Sequence, residues 1–175
     1  MKTGTHTWEN TADYVKGSPR PDIQAHLVYN AEQRIVNDNG KWTEAEAQGV
    51  VDDITGTRWW RNRTPRHIHN LTVIGHPQDI YDRKGMDVAS ASYWEKTLYL
   101  PKWAREPITI VHEMSHLIHH SKSNKQAWHG PEYAYIMKEM SERFHSPYLH
   151  RRLMIGYEEY EVQIKKIRVL KRWKF

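Results

Sequence analysis

The pentapeptide His-Glu-Met-Ser-His at 112–116 has the residue types and spacing of a metal-binding helix. On a helix, His112 and His116 project from one face one turn apart, so both imidazoles can bind the same ion. Glu113 lies about 100° further round, where its carboxylate can reach a metal-bound water without being a ligand. Zinc lowers the pKa of such a water toward about 7, and a carboxylate can accept its proton as it attacks a peptide carbonyl. The pattern therefore predicts a hydrolytic zinc site with Glu113 as general base.

The motif needs support from its surroundings, because 12 of the 175 residues are histidine and the pattern can arise by chance in such a chain. The alternatives are a helix with two solvent-facing histidines and a site that keeps its residues only for structure. The chain contains no cysteine, which excludes disulfides and thiolate ligands. A metal site must therefore use His, Asp or Glu.

A hydrolytic zinc site also needs a third protein ligand and one open coordination position. His119 shares the helix face but lies about 10 Å along the axis from His112, which is too far to share the ion. His120 points away from that face. The candidates that remain further along the chain are His129, Glu132 and Glu139. A carboxylate in this role would give a thermolysin-like arrangement.

The elements that must position these side chains are predicted from apolar periodicity, capping patterns and helix breakers. Thr43 and Glu46 form a capping-box pattern ahead of an apolar stripe that ends at Gly56, which predicts a short helix. Pro107 fits the first turn of the motif helix. The predicted helices are 22–36, 43–56, 107–120, 131–144 and 151–170, and the predicted strands are 67–74, 87–94 and 97–100, with a tight turn at Glu95–Lys96. This order predicts the α+β class, with a small antiparallel sheet packed against helices that include the motif helix.

His-Glu-Met-Ser-His, twelve further residues and then His-Gly-Pro-Glu-Tyr at 129–133 resemble the SprT-like zinc metallopeptidases. In that family a third zinc-binding His lies in an H-G-x-x-aromatic motif at about this distance from H-E-x-x-H. A short β-hairpin precedes the motif helix in the family, as residues 91–100 are predicted to do here. The resemblance spans roughly residues 20–145. The family's C-terminal cysteine zinc ribbon is missing, as are DNA-repair interaction motifs, and a looser resemblance links the chain to small metallohydrolases of actinobacteria and their phages.

The resemblance implies a zincin-like fold in which His112, His116 and His129 bind Zn²⁺ and Glu113 is the general base. The implied activity is zinc-dependent hydrolysis of peptide bonds. The expected substrate is protein, with DNA-associated proteins as one class of target. In such a fold the strand at 97–100 would offer its edge to an extended substrate.

The formal net charge of +5 and the pI of about 9.3 bias the chain toward anionic partners. Residues 58–67 interleave four Arg with two Trp, a composition suited to stacking on bases and pairing with phosphates, and residues 165–175 hold six basic and no acidic side chains. The alternative is that both Trp are core residues and the basic side chains only face solvent. The predicted contacts to DNA, single-stranded by preference, are Arg58, Trp59, Trp60, Arg61, Arg63, Arg66, Lys165, Lys166, Arg168, Lys171 and Arg172.

The chain is expected to form one domain, since 175 residues suffice for a hydrophobic core. The predicted organisation is a polar lead-in at 1–20, a metallopeptidase domain at 21–164 and a basic tail at 165–175. No apolar segment of signal-peptide or membrane-spanning length occurs in the sequence. The expected location is therefore the cytoplasm, with no membrane partner.

Two other functions stay open from the sequence. One is an intracellular or phage-encoded protease that cuts regulatory or structural proteins unrelated to DNA. The other is a catalytically inactive nucleic-acid-binding module with a structural zinc. Hydrolysis by the wild type that is lost on Glu113→Gln would exclude this second function.

Tyr133 and Tyr135 could place a phenol near an oxyanion or simply pack. His145 and His150 are expected at the surface rather than at a metal.

Overall fold

The computed structural model describes residues 22–33, 35, 42–75, 89–122 and 127–167. The predicted lead-in at 1–20, the first residues of the strand at 87–94 and the tail positions Arg168, Lys171 and Arg172 lie outside this part of the chain. None of the helices in the described ranges combines the length and the apolar character needed to cross a bilayer.

The described residues form six α-helices and three short strands, which confirms the predicted α+β class. The helices are α1 (Ala25–Gln33), α2 (Glu44–Gly56), α3 (Arg58–Arg61), α4 (Pro107–Lys122), α5 (Pro131–Phe144) and α6 (Pro147–Glu159). The strands are β1 (Thr72–Ile74), β2 (Ser90–Ser92) and β3 (Thr97–Tyr99), and two 3-10 turns lie at Arg66–Ile68 and Lys102–Ala104.

β3 is the central strand of the sheet, because β1 pairs with it in parallel and β2 in antiparallel register. The prediction of a wholly antiparallel sheet is therefore wrong for β1. The outer side of β1 is covered by Gln48 of α2, whose amide accepts from Val73 N at 2.6 Å and donates to Leu71 O at 2.9 Å. The strand at 97–100, predicted to offer an open edge to a substrate, is thus paired on both sides. Among the described strands, β2 is the one with an open edge.

β1 begins at Thr72 rather than at position 67, because Trp60 fixes the residues before it in another conformation. The indole Nε1 donates to Ile68 O at 3.2 Å, and Ile68 is fully buried in the 3-10 turn at 66–68. The hairpin also differs from the prediction. Ser92 pairs with Thr97, so four residues rather than two connect β2 to β3.

α4 is the buried helix that carries the motif, as predicted, and it begins at Pro107. Its apolar stripe, Ile110, Met114 and Leu117, is at most 1% exposed. These side chains belong to the same core cluster as Leu98 of β3. The core therefore lies between the sheet, α4 and α5, and it buries one face of the motif helix along most of its length.

The last helix ends eleven residues earlier than the predicted span of 151–170, because the backbone turns left-handed at Glu161 with φ 55°. Glu161 N donates to Glu158 O at 3.2 Å, and Val162 N donates to Tyr157 O at 2.8 Å. This is the Schellman pattern of helix termination, and the buried Val162 provides its apolar contact. The chain from 162 to 167 then continues without helix or strand.

Candidate metal centre

Three imidazole nitrogens converge in the interior at the middle of α4. His112 Nε2 lies 3.1 Å from His116 Nε2 and 3.4 Å from His129 Nε2. One nitrogen from each ring lies within 4.8 Å of the other two. Ligands of a tetrahedral zinc at the usual Zn–N length would be about 3.3 Å apart. The spacing therefore suits a metal ion, and His112, His116 and His129 could hold one.

Two elements bring these rings together. α4 places His112 and His116 on one face, as the i, i+4 spacing predicts. His129 comes from the turn that leads into α5, where Gly130 is the N-cap and Pro131 the first helical residue. Gly130 is closely packed, since an added Cβ would lie 3.2 Å from Ala127 O. The Gly-Pro pair thus sets the direction in which α5 leaves the turn.

Two buried carboxylates hold the outer nitrogens of two of the rings. Glu32 Oε2 lies 2.7 Å from His112 Nδ1, and Asp22 Oδ2 lies 2.7 Å from His129 Nδ1. With a hydrogen on Nδ1, each ring can donate to its carboxylate and turn its Nε2 toward the cluster. This carboxylate–histidine pairing is the usual outer shell of a zinc site. Sequence reasoning missed both carboxylates, because no local pattern links them to the motif.

Two tyrosine rings form the walls of the cluster. Tyr29 of α1 stacks on His112, with ring centroids 5.6 Å apart, and lies 4.7 Å from the ring of His129. Tyr133 stacks on His116 at 4.5 Å, and its hydroxyl donates to His112 O at 3.3 Å. Tyr133 is fully buried, so its phenol is a packing and positioning group here. Tyr135 points elsewhere and donates to Glu139 Oε1 at 3.1 Å.

Burial sets the electrostatics of the site. It raises the pKa of Glu113 to about 7, while His112 lowers it and Glu32 raises it further. Burial, and then the repulsion from His129 and His112 wherever those rings are protonated, hold the pKa of His116 well below its usual range. Burial also lowers the pKa of His129, although the Asp22 hydrogen bond opposes it. His116 and His129 are therefore neutral at neutral pH, the state that a metal requires. Burial also lowers the pKa of His112, but the neighbouring Glu32 outweighs burial and the pKa is raised, so a metal would have to displace a proton from this ring.

The alternative third ligands are engaged elsewhere. Glu139 lies 3.4 Å from Arg63 Nη2, and Glu132 lies 3.5 Å from Lys165 Nζ. Neither belongs to a ligand cluster among the described residues, where the three histidines form one. His119 is also outside the cluster, although it is buried and burial lowers its pKa to about 4. The geometry thus favours the histidine over the thermolysin-like arrangement.

The two tryptophans of the Arg-rich stretch do not offer free faces to a base. Trp60 is fully buried, so its predicted stacking on DNA is wrong and the core alternative holds for it. The ring of Trp59 lies beneath Arg63 at 4.2 Å and is met edge-on by Phe144 at 5.6 Å. Of the predicted contacts, Arg58, Arg61, Arg66, Lys165 and Lys166 are exposed in the described part of the chain.

A different tryptophan is exposed. Trp94, in the loop between β2 and β3, is 78% exposed. Its ring is almost parallel to His67, with 12° between the planes and 6.3 Å between the centroids. Tyr93 meets both rings edge-on and also contacts His120 of α4 at 4.5 Å. Sequence reasoning missed this cluster, although a Trp in a hairpin loop is a signal of exposure.

The comparisons with known proteins bear on one part of the chain. Residues 95–160 match the model of the SprT-like family. No curated protein and no solved structure matches the chain. The matched segment runs from β3 to the end of α6 and contains all three histidines and Glu113, whereas Asp22 and Glu32 lie before it. The resemblance seen in the two histidine motifs is thereby confirmed, and residues 95–160 are identified as a SprT-like segment.

Proposed function

We propose that this protein is a zinc-dependent peptidase in which His112, His116 and His129 bind the metal and Glu113 is the general base. The observation that carries the proposal is the convergence of three imidazole nitrogens next to a buried glutamate on one helix. The family match supports it, because the matched segment contains these four residues.

The donor set favours a catalytic over a structural metal. Structural zinc sites use four protein ligands, whereas hydrolytic sites use three and leave one position for water. The cluster offers three ligands among the described residues. Neutral imidazoles suit zinc, and the carboxylates behind them increase the basicity of the ligating nitrogens. This argument weighs against a nucleic-acid-binding module with a purely structural zinc.

Bound zinc would supply a Lewis acid that lowers the pKa of a water and polarises the substrate carbonyl. A carboxylate oxygen of Glu113 accepts a proton from the attacking water and delivers it to the nitrogen of the leaving amine as the C–N bond breaks. Glu32 and Asp22 hold His112 and His129 in the orientation that this chemistry needs.

An extended protein segment is the proposed substrate, and β2 is the strand against which it would pair. β3 has partners on both sides, and Gln48 covers the outer side of β1. β2 lies next to α4 and presents an open edge within the described part. Pairing of this kind reads the substrate backbone and tolerates many side chains.

A peptidase assay with a metal readout tests the proposal. The purified protein should carry about one zinc per chain and cleave an unfolded protein such as casein. Glu113→Gln should keep the zinc and lose the cleavage, because a base is removed and no ligand is. Glu158→Gln, at an exposed position of α6, is the matched control. An active Glu113→Gln enzyme would exclude this mechanism.

We also propose, as a second function, association with single-stranded nucleic acid, so that DNA-bound proteins become one class of substrate. The observation that favours it is the exposed Trp94, with the exposed Lys96 two positions further along the chain and the exposed Arg66 next to His67, whose ring is parallel to that of Trp94. A flat indole stacks on any unpaired base, and the cations pair with phosphates.

Gel shifts from low to physiological salt test this association. Binding should weaken steeply with salt, and Trp94→Ala should lower affinity while Trp94→Phe retains most of it. A chain that ends at Ile167, without Arg168, Lys171 and Arg172, should give a flatter salt dependence. A wild-type protein that shifts no oligonucleotide at low salt would remove nucleic acid from the proposal and leave the peptidase untouched.

A further inference from the structure

One buried amide joins three distant segments of the chain. Gln24, just before α1, is 4% exposed. Its Nε2 donates to His129 O at 2.8 Å and to Gln163 O at 3.3 Å, and its Oε1 accepts from Gln163 N at 3.1 Å. The hydrogen bonds of this side chain therefore connect three parts of the chain: the start of α1, the turn that carries His129 and the segment that follows α6.

The segment after α6, residues 162–165, is fixed at both of its ends. Val162 N donates to Tyr157 O at 2.8 Å, and Lys165 N donates to Pro131 O at 2.9 Å. The ion pair of Lys165 with Glu132 adds little, because the lysine side chain is 73% exposed. These backbone bonds thus hold residues 162–165 against α6 and the first turn of α5, and the Gln24 side chain links them to the start of α1.

α1 is also held at its other end, where it crosses α6 closely. A Cβ added to Gly156 would lie 3.0 Å from the Cα, Cβ and O atoms of Ala31. Ala31 precedes Glu32, the partner of His112. Each end of α1 therefore supports one histidine of the cluster, and residues after 155 hold both ends.

We propose that Gln24 is a positioning residue for His129 and that residues 162–165 are part of the metal-binding unit. This inference rests on the proposed metal site. Both Gln24 and residues 162–165 lie outside the matched segment 95–160, so the SprT-like part is completed by chain on either side of it. Loss of the Gln24 amide leaves the buried carbonyl of His129 without this donor, and the turn is then free to relax away from its ligand position.

Metal binding by variants of this amide tests the inference, with Co²⁺ and Zn²⁺ alone as probes. Gln24→Met keeps the size of the side chain and removes its hydrogen bonds, whereas Gln24→Glu keeps the acceptor for Gln163 N and places a carboxylate oxygen against the carbonyl oxygens of His129 and Gln163. Both should lower Zn²⁺ affinity by about tenfold, the lower end for outer-shell changes, and alter the visible bands of bound Co²⁺. A chain that ends at Val162 should behave in the same way.

Matched controls separate positioning from general stability. Gln163→Ala keeps the backbone atoms that bond to Gln24, and a chain that ends at Ile167 keeps residues 162–165, so both should bind Co²⁺ with the wild-type spectrum. Thermal unfolding of the metal-free proteins shows which variants fold. If Gln24→Met does not fold, the metal affinity of Gln24→Glu tests the inference. Unchanged affinity and spectrum in folded Gln24 variants would overturn the inference and leave the proposed function standing. A wild-type protein that binds neither ion would overturn both.

Discussion

Glu32 and His112 lie 80 positions apart in the sequence, and a 2.7 Å hydrogen bond joins them in the interior. The bond determines which nitrogen of His112 carries the hydrogen and therefore which one can face a metal. Asp22 does the same for His129. Because one carboxylate lies on α1 and the other three residues before it, this single helix orients two rings of the cluster.

Removal of the Glu32 carboxylate should weaken metal binding. Glu32→Ala should lower zinc affinity by about 10- to 100-fold, the range typical of outer-shell carboxylates. Glu32→Gln should have a smaller effect, because its amide oxygen still accepts from Nδ1 but carries no charge. Competition with a chromophoric chelator measures both, with the exposed Gln33→Ala as control. Wild-type affinity in Glu32→Ala would show that this bond does not orient His112.

The identity of the third ligand can be decided by comparing alanine variants. His129→Ala should lower zinc affinity by several kcal/mol, because a directly bound group is lost. Glu139→Ala should leave it almost unchanged, since Glu139 bonds to Arg63 and Tyr135 instead. Zinc content after dialysis against a weak chelator is the measurement. A zinc-free Glu139→Ala protein beside a zinc-loaded His129→Ala protein would reverse the assignment.

The close crossing of α1 and α6 should make Gly156 intolerant of a side chain. Gly156→Ala should lower the free energy of unfolding by about 1–3 kcal/mol, because the backbone of Ala31 must move away from the new methyl group. Gly49→Ala is the matched control, since a Cβ there meets nothing within 4 Å. It should stabilise α2 by about 0.5–1 kcal/mol. Urea unfolding compares the two, and equal effects would contradict the packing argument.

The metal-free protein should lose stability in acid through His145, which lies between α5 and α6. Burial, helped by His150, lowers the pKa of His145 to about 4, so its contribution is complete above pH 6.5 and is lost as the pH falls toward 4. This residue is expected to account for a loss of about 2 kcal/mol in the free energy of unfolding. That is less than the full pKa shift would give, because the side chain is partly exposed. The surface position predicted for His145 is therefore only partly correct.

Urea unfolding of chelator-treated protein between pH 4 and 6.5 tests this dependence. His145→Leu should show a weaker fall in stability than the wild type, because it cannot take up a proton. The exposed His26→Leu serves as the control. If the His145→Leu and wild-type curves run parallel, another group is responsible for the acid sensitivity.

The parts of the fold that were predictable from the sequence are those encoded by neighbouring residues. The capping box of Thr43 and Glu46 forms as predicted, with Thr43 N donating to Glu46 Oε2 at 2.7 Å. Pro107 and Pro131 begin their helices where expected. The two motif histidines converge because the helical repeat alone fixes their spacing.

The parts that were not predictable depend on contacts between distant residues. Nothing near Asp22 or Glu32 distinguishes them from the other acidic residues, since their partners lie 107 and 80 positions away. Trp60 and Trp94 differ in burial only because one meets Ile68 in the core and the other sits at the tip of a hairpin. The local sequence around each tryptophan does not determine such packing.

Gln24 and Gln163, which are joined by hydrogen bonds, lie 139 positions apart in the sequence. A ribosome releases the chain from the N-terminus onward, so Asp22, Gln24 and α1 emerge long before their partners. The histidine cluster lacks its last support until residues 162–165 have left the exit tunnel. The cluster of proposed metal ligands is therefore expected to reach its final geometry only after residues 162–165 have emerged, so a metal ion has no fully supported site to bind before then.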